Sequence, residues 1–361
     1  MNIKLLAVGA GIGLGYYVYE KLDQQKLDRL YAINLDRISY ISTWNTECGI
    51  ATYTRHLVDS LSEINHTYPN YTKINNWYLD KAINNNIVHI QHEFGIIPRI
   101  SKLKDILRGK KVIITWHSVP NNIDNIIEDY RNNEINVVAN IIHSRECFNR
   151  FNRYSSSGYI IPHGSYQFPN MDKETARKLL GLYSNYNLDY NRPIGFVFGF
   201  KLRNKNYKDL INAAISNNIS LIISGAKNSS DKKILSLDKE PILFLDRFLT
   251  EEDVTLYTLA SDMLLFDYNQ NENMCSISGA IHRTIGSGRP IICNDITHFS
   301  CLENNKNCLK FKHYSELENC INLVINNKGI SEQLGINAKI YAEETSWTNV
   351  AYMHSNIYMN I

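Results

Sequence analysis

Across 361 residues the chain lacks any CxxC spacing or Cys/His cluster, although it carries seven cysteines, at 48, 147, 275, 293, 301, 308 and 320. An odd, scattered set excludes a disulfide framework and a zinc site, and fits mostly buried thiols in a reducing compartment. A basic stripe is missing too: 38 Lys and Arg are interspersed with 36 Asp and Glu, for a net charge of +2. Neutralising many nucleic-acid phosphates needs clustered cations, so nucleic acid is not an expected partner. There is no tandem repeat and no low-complexity linker, which leaves a chain long enough for about two domains with full cores. The Asn-x-Ser/Thr triplets at Asn65, Asn70, Asn218 and Asn228 carry little weight in a sequence so rich in Asn.

No apolar run reaches the ~20 residues that span a bilayer comfortably. Leu5 to Tyr19 (LLAVGAGIGLGYYVY) is the nearest. It reads as a short apolar helix within residues 1–30 that associates with a membrane. Gly9/Gly13 and Gly11/Gly15 have small-xxx-small spacing, the tyrosines suit an interface, and Lys21, Lys26, Arg29 and Arg37 place the body on the cytosolic side. A secretory signal would need a small-residue cleavage site before Glu20, and a dinucleotide loop would need a third Gly in register; neither is present.

What is present begins at TWNTECGIATYTRHLVDSL, Thr43 to Leu61. The strand-like run Arg37 to Ser42 leads through a small-residue turn into a helix whose Ala51, Leu57, Leu61 and Ile64 recur at helical spacing. Gly49 in that turn lets a ligand approach the backbone at a helix N-terminus, where partial positive charge suits phosphate. Further strand-like runs alternate with helical ones at Ile87 to Gln91, Lys111 to Trp116, Val137 to Ile142 and Tyr159 to Ile161. After a polar stretch, Leu182 to Arg192, a second set follows at Ile194 to Phe200, Ser220 to Ser224, Ile242 to Leu245, Met263 to Asp267 and Pro290 to Cys293. This alternation predicts an α/β protein of two doubly wound domains, 36–180 and 192–342. Open α/β sheets bind ligands beyond the carboxyl ends of their strands.

Several of those ends are polar: HIQHE finishes in His92 and Glu93, ITWHS in His117 and Ser118, NIIHS in His143 and Ser144, IPHG in His163 and Gly164. A lone strand-end His is usually structural, the reading taken for His143 and His163; convergence singles out His92, Glu93 and His117. In the second half GFVFGF runs into Lys201, Arg203 and Lys205, cations able to neutralise a diphosphate. Farther on, Ser276, Ser278 and Gly279 open a helix directly after an apolar strand, leaving backbone N–H groups free for an anion.

Taken in order, these segments resemble the retaining nucleotide-sugar glycosyltransferases of GT-B fold, family 4. ECGIATYTRHLVDSL is similar to the family's first glycine loop and helix, HIQHEFGI and ITWHSV to two strand-end motifs beside the acceptor, FGFKLRNKNYKDLINA to the donor-phosphate loop, GSGRPIICND to a Gly-x-Pro strand entry, and SWTNVAYMHSNIY to a helix that crosses back to the first domain. The resemblance covers nearly everything after residue 36. It implies a GT-B architecture of two facing Rossmann-like domains with residues 343–361 as a closing helix packing back on the first, and transfer of a hexose, of mannose or glucose type, from a nucleotide diphosphate sugar to a hydroxyl acceptor with retention. The nucleotide sugar is the co-substrate; no metal and no other cofactor is implied. His117, Lys205 and Arg203 take the catalytic roles; Gly49, Lys201, Glu272, Ser276, Ser278 and Gly279 hold the donor; His92 and Glu93 line the acceptor side.

The chain departs from the family in two places. Its paired glutamates align with Cys275 and Arg283, Glu272 being out of register, and the usual phosphate-loop Arg aligns with Leu202. Two other readings share the fold: a catalytically silent, membrane-anchored binding or scaffold protein, and an epimerase or phosphorylase. Glycosylation of DNA bases would need a basic acceptor face, which the charge balance does not provide.

Overall fold

The structure is a computed structural model that describes residues 33–75, 78–79, 82–97, 103–152, 158–199, 205–224 and 241–361, with the backbone of 3–6 and 18–20. Contacts divide the chain into two units: unit 1 is Met1–Gly164, Glu272–Ile277 and Trp347–Ile361, and unit 2 is Ser165–Asn271 and Ser278–Ser346.

At the N-terminus β1 (Ile3–Leu6) and β2 (Val18–Glu20) pair antiparallel. The sequence predicts an apolar helix over Leu5 to Tyr19; the described residues at its two ends are instead strands, in keeping with the extended preference of Ile3, Val18 and Tyr19. Residues 7–17 of that segment lie outside the described residues. Among the described residues no helix is long and apolar enough to cross a membrane.

The sheet of unit 1 is built from β3 (Ile38–Ser42), β4 (Asn70–Asn75), β5 (Tyr78–Leu79), β6 (Ile87–His92), β7 (Lys111–Trp116), β9 (Val137–Ile142) and β10 (Gly158–Ile160); β8 (Ser118–Pro120) stands apart from it. The order is β10-β9-β7-β6-β3-β4-β5, parallel except where β5 runs against β4. Helices α1 (Gly49–Asn65), α2 (Lys104–Leu107), α3 (Ile123–Asn132) and α4 (Arg145–Phe151) cover it. Both faces are thus buried, and β6 is buried at every position, as a parallel strand between two helical layers must be. Side chains still alternate. Val88 and Ile90 join Val112, Ile114, Trp116 and Ile142 in one core, while Tyr40, His89, Gln91 and Thr115 occupy the other face by the register of β3, β6 and β7. Helix α1 is tied to β3 by Ser42 Oγ and Thr54 Oγ1 at 2.7 Å. It ends at His66, whose left-handed φ of 55° returns its N–H to the Ser62 carbonyl.

Unit 2 comprises α5 (Lys173–Leu180), β11 (Ile194–Val197), α6 (Tyr207–Ser216), β12 (Ser220–Ser224), β13 (Ile242–Leu245), α7 (Glu251–Ala260) and β14 (Met263–Phe266). The chain then returns to unit 1 for β15 (Met274–Ser276), which pairs antiparallel with β8, setting Cys275 opposite Val119 and Ser276 opposite Ser118. It resumes unit 2 with α8 (Gly279–Thr284), β16 (Ile291–Asn294), β17 (Leu309–Phe311), α9 (Tyr314–Asn326) and α10 (Lys328–Glu344). Finally α11 (Trp347–Met359) lies in unit 1 against α1. The six strands of unit 2 are all parallel, in the order β13-β12-β11-β14-β16-β17. A capping box starts α7, Thr250 Oγ1 accepting from Asp253 N–H and the Asp253 carboxylate accepting in return.

The polar stretch 182–192 suggests a boundary between halves, yet the division falls after Gly164. Leu182 and Leu188 are buried in the unit 2 core with Ile194 and Phe196, which makes that stretch part of the unit. Gly286 shows how close the packing is, for a Cβ there would stand 1.9 Å from the Tyr166 carbonyl oxygen.

Candidate functional site

In unit 1 the carboxyl ends of β6, β7 and β9 and the residues that follow them gather a polar and aromatic cluster. Its hub is Tyr53, one turn into α1 and fully buried. The ring centres of His117, His143, His163 and Trp347 lie 4.8, 5.2, 4.9 and 5.1 Å from it. His117 holds Gln91 Oε1 through Nε2 at 3.0 Å, and burial with the neighbouring His143 and His92 pulls its basicity well below the usual imidazole range. His143 donates from Nδ1 to the Ile161 carbonyl at 2.9 Å, and burial lowers it to about 4. His163 donates from Nδ1 to the Gly164 carbonyl at 2.8 Å.

His92 is packed edge-on to Phe94 and tilted against Trp116, at 4.7 and 4.5 Å. It lies on the hydrophobic face, and burial lowers it to about 3. Glu93 accepts a hydrogen bond from Ser118 Oγ at 2.8 Å; burial raises its carboxyl, and that bond with the Phe94 and Gly95 amides works against the rise. Because β15 aligns Ser276 with Ser118, Ser276, Ser118, Glu93 and His117 belong to one corner of unit 1. Glu272 is exposed in the same unit, where its carbonyl accepts from Asn121 Nδ2 at 3.2 Å.

Gly49 opens α1 on the exposed side. Its preceding residue, Cys48, makes no side-chain cap, and a Cβ at 49 would meet nothing within 4 Å. Neither packing nor a positive φ demands glycine here, so the first-turn amides stand open to an approaching group.

In unit 2 the central residue is Lys205, only 8% exposed. Its ammonium lies 5.1 Å from the Tyr268 ring centre and 3.4 Å from the Phe198 carbonyl oxygen. No carboxylate forms an ion pair with it among the described residues. Burial pulls it down to about 7, since taking an unpaired cation out of water is costly. Gly199, at φ +120°, makes room: a Cβ there would sit 2.8 Å from Lys205 Nζ and 3.2 Å from the Ala280 methyl. Ser278 is buried, its Oγ 3.4 Å from the Tyr268 hydroxyl, and Gly279 follows it as the first residue of α8. The structure thus brings Lys205 and Ser278 to the same tyrosine. Lys201 and Arg203 lie outside the described residues.

Sequence reasoning misses Tyr53 and Tyr268. An aromatic at mid-helix or strand end reads as core, and only the polar company each keeps marks it. The two positions aligned with the family's glutamates are occupied structurally. Cys275 is buried in the unit 1 core that also holds Cys147. Arg283 pairs with Glu251 at 2.7 Å and lies over the Phe198 ring at 4.9 Å.

No protein-family profile matches the chain, and no curated protein matches it. Solved structures do. Anabaena HepE, determined with UDP and glucose, superposes with a TM-score of 0.69 at 12% identity, over 90% of this chain and 99% of that one. Sucrose-phosphate synthase from Thermosynechococcus elongatus gives 0.68 at 14% identity, over 90% and 98%. A glycosyltransferase from Rickettsia africae gives 0.68 at 13%, over 89% and 97%. At these identities the likeness is one of fold, and the fold this chain shares with them is the GT-B architecture of glycosyltransferases.

Proposed function

We propose that the protein transfers a hexosyl group from a nucleotide diphosphate sugar to a hydroxyl acceptor, with retention and without a metal. The observation that carries this reading is Lys205, a buried ammonium with no anionic partner among the described residues, beside Gly199 and the Ser278–Gly279 turn. A buried cation without a counter-charge suits an anionic ligand, and the diphosphate of a leaving nucleotide is such an anion. As the glycosidic bond to the nucleotide breaks, negative charge grows on that diphosphate, and a preorganised cation stabilises it where it forms. The leaving phosphate itself takes the acceptor proton on the same face, so the reaction needs no carboxylate nucleophile. His117 contacts the sugar hydroxyls and Glu93, bonded to Ser118, belongs to the acceptor side, whereas His92, expected there from the sequence, is buried against Phe94 and Trp116 and backs that wall from the core. HepE was solved with UDP and glucose, which supports a nucleotide sugar as the donor class.

The test is a panel of UDP-, GDP- and ADP-sugars scored for thermal stabilisation and for slow hydrolysis, repeated with Lys205→Ala. Stabilisation by one donor that disappears in the variant supports the reading; equal stabilisation of both proteins discards the phosphate site.

A second reading has its own observation. Cys275 is packed into a hydrophobic core and Arg283 is held in an ion pair where the resembling family has glutamates, which favours a fold that binds a nucleotide sugar without turning it over. Stabilisation without release of nucleotide, across all acceptors tried, selects this alternative.

A further inference from the structure

A hydrogen-bonded line of side chains, buried except for the half-buried His117 at its end, crosses the sheet of unit 1 on the face opposite the Val88–Ile114 core. Tyr40 and Tyr358, the latter on the C-terminal helix α11, bond through their hydroxyls. The Tyr358 hydroxyl is 2.6 Å from His89 Nδ1, and His89 Nε2 is 2.8 Å from Thr115 Oγ1. Gln91 Nε2 makes a longer contact of 3.4 Å to the same His89 Nε2, and Gln91 Oε1 meets His117 Nε2 at 3.0 Å. Period-two alternation places His89 with Gln91, and Thr115 with His117, on this one face.

The polarity of the line follows from its members. An imidazole nitrogen that meets an amide oxygen must carry the proton, so His117 is protonated on Nε2. The other end of that amide is an NH2 group, which only donates, so His89 Nε2 is a lone pair, accepting from Gln91 and from the Thr115 hydroxyl. His89 then carries its proton on Nδ1 and donates it to Tyr358, whose hydroxyl donates to Tyr40. One amide cannot offer its oxygen to both rings, so the two tautomers are locked in opposite senses.

We propose that Gln91 couples the tautomers of His89 and His117, so that the line running through His89 to the Tyr358 hydroxyl on the C-terminal helix holds His117 with its proton on Nε2 and its lone pair on Nδ1. Tyr358, His89 and Gln91 are positioning residues and His117 is the group they position. Both rings are kept neutral, His89 by burial and the nearby His354 and His117, His117 by burial and the nearby His143 and His92, and a neutral ring is the form for which a tautomer is defined. An Nδ1 lone pair accepts a hydrogen bond, which suits a donor hydroxyl of a sugar. That consequence rests on the proposed transferase reading, whereas the tautomer does not.

The experiment is two-bond 1H–15N correlation of the histidine rings in the full chain, labelled at the ring nitrogens and free of substrate, with His117 and His89 assigned from the loss of one ring in His117→Asn and in His89→Asn. The wild type is expected to show His117 with a protonated Nε2 and a bare Nδ1, and His89 the reverse. Tyr358→Phe is expected to average the nitrogen shifts of both rings. Gln91→Met is expected to average His117 alone, and adding Tyr358→Phe to it leaves His117 unmoved. A wild-type His117 protonated on Nδ1, or a His117 whose shifts ignore Tyr358→Phe, overturns the proposal. Should Tyr358→Phe not fold, the unchanged His117 of Gln91→Met would overturn it equally. The readout needs no turnover, so a protein without transferase activity still decides it.

Discussion

The ammonium of Lys205 rests 5.1 Å from the centre of the Tyr268 ring, an aromatic face in place of a carboxylate. A cation held this way gains from the ring quadrupole, but the gain does not match what burial removes, and its basicity falls from 10.5 to about 7.

Replacement of Lys205 by methionine is therefore expected to stabilise the free protein while abolishing stabilisation by nucleotide diphosphates. The unfolded chain binds a proton at this residue up to about pH 10.5 and the folded one only up to about pH 7, so folded-state stability climbs with pH through that window. At about 1.4 kcal/mol per pH unit, the buried lysine costs the fold several kcal/mol at neutral pH. Melting temperatures of wild type and Lys205→Met between pH 7 and 10 check this: the difference is expected to shrink as pH rises.

Diphosphate binding is expected to recharge Lys205. Titration calorimetry at pH 8.5 in buffers of different ionisation enthalpy should register uptake approaching one proton, and the affinity should fall as pH rises above about 7. Lys205→Arg, always charged, is expected to bind with no uptake. A binding enthalpy indifferent to the buffer would show that the lysine is not at the anion.

Two glycines should respond in opposite ways to alanine. At Gly49 a Cβ meets nothing within 4 Å, so Gly49→Ala is expected to leave stability within about 0.5 kcal/mol and to weaken nucleotide-sugar binding at least tenfold. At Gly286 the same atom would stand 1.9 Å from a carbonyl oxygen, and Gly286→Ala is expected to lose about 3 kcal/mol through overpacking. Urea unfolding of both variants, beside thermal shift with the donor, separates the two roles.

Acid should unfold unit 1 first. Burial lowers His92 and His354 to about 3 and His143 to about 4, against 6.5 in the unfolded chain. Between those values the unfolded state binds more protons, so stability is lost as pH drops below 6.5, at up to about 1.4 kcal/mol per pH unit for each ring. His92 packs as an aromatic against Phe94 and Trp116, and His92→Phe is expected to flatten the slope by one proton. Chemical denaturation at pH 5, 6 and 7 measures it.

Much of the architecture is legible in the residues. Runs such as Val112 to Trp116 and Leu221 to Ser224 are β-branched, apolar and bounded by polar turns, and the alternation with helices fixes parallel sheets. The HIQH pattern of β6 even announces that one sheet face is polar. The pairing of β8 with β15 is not legible: three residues at 118–120 meet three at 274–276, too short to carry a periodic signal and too distant for a turn to imply. The boundary at Gly164 is hidden for a similar reason, since residues 182–192 are polar in composition while two of their leucines sit in a core. At the site, the residue type of Lys205 is readable but its burial is not, because burial is decided by Gly199, Tyr268 and Ala280, contributed by three separate segments. The histidine line depends on Tyr358, more than 260 residues from His89, and no local pattern suggests it.

The route of the chain through the two units has a consequence for biosynthesis. Unit 1 takes its last strand from Glu272–Ile277 and its last helix from Trp347–Ile361, so on the ribosome it waits, incomplete, with the β8 edge and the α1 face uncovered. Unit 2 starts later yet has all its pieces by Ser346. The half translated first is thus finished last, and chaperones and proteases meet the nascent chain with its N-terminal half still open.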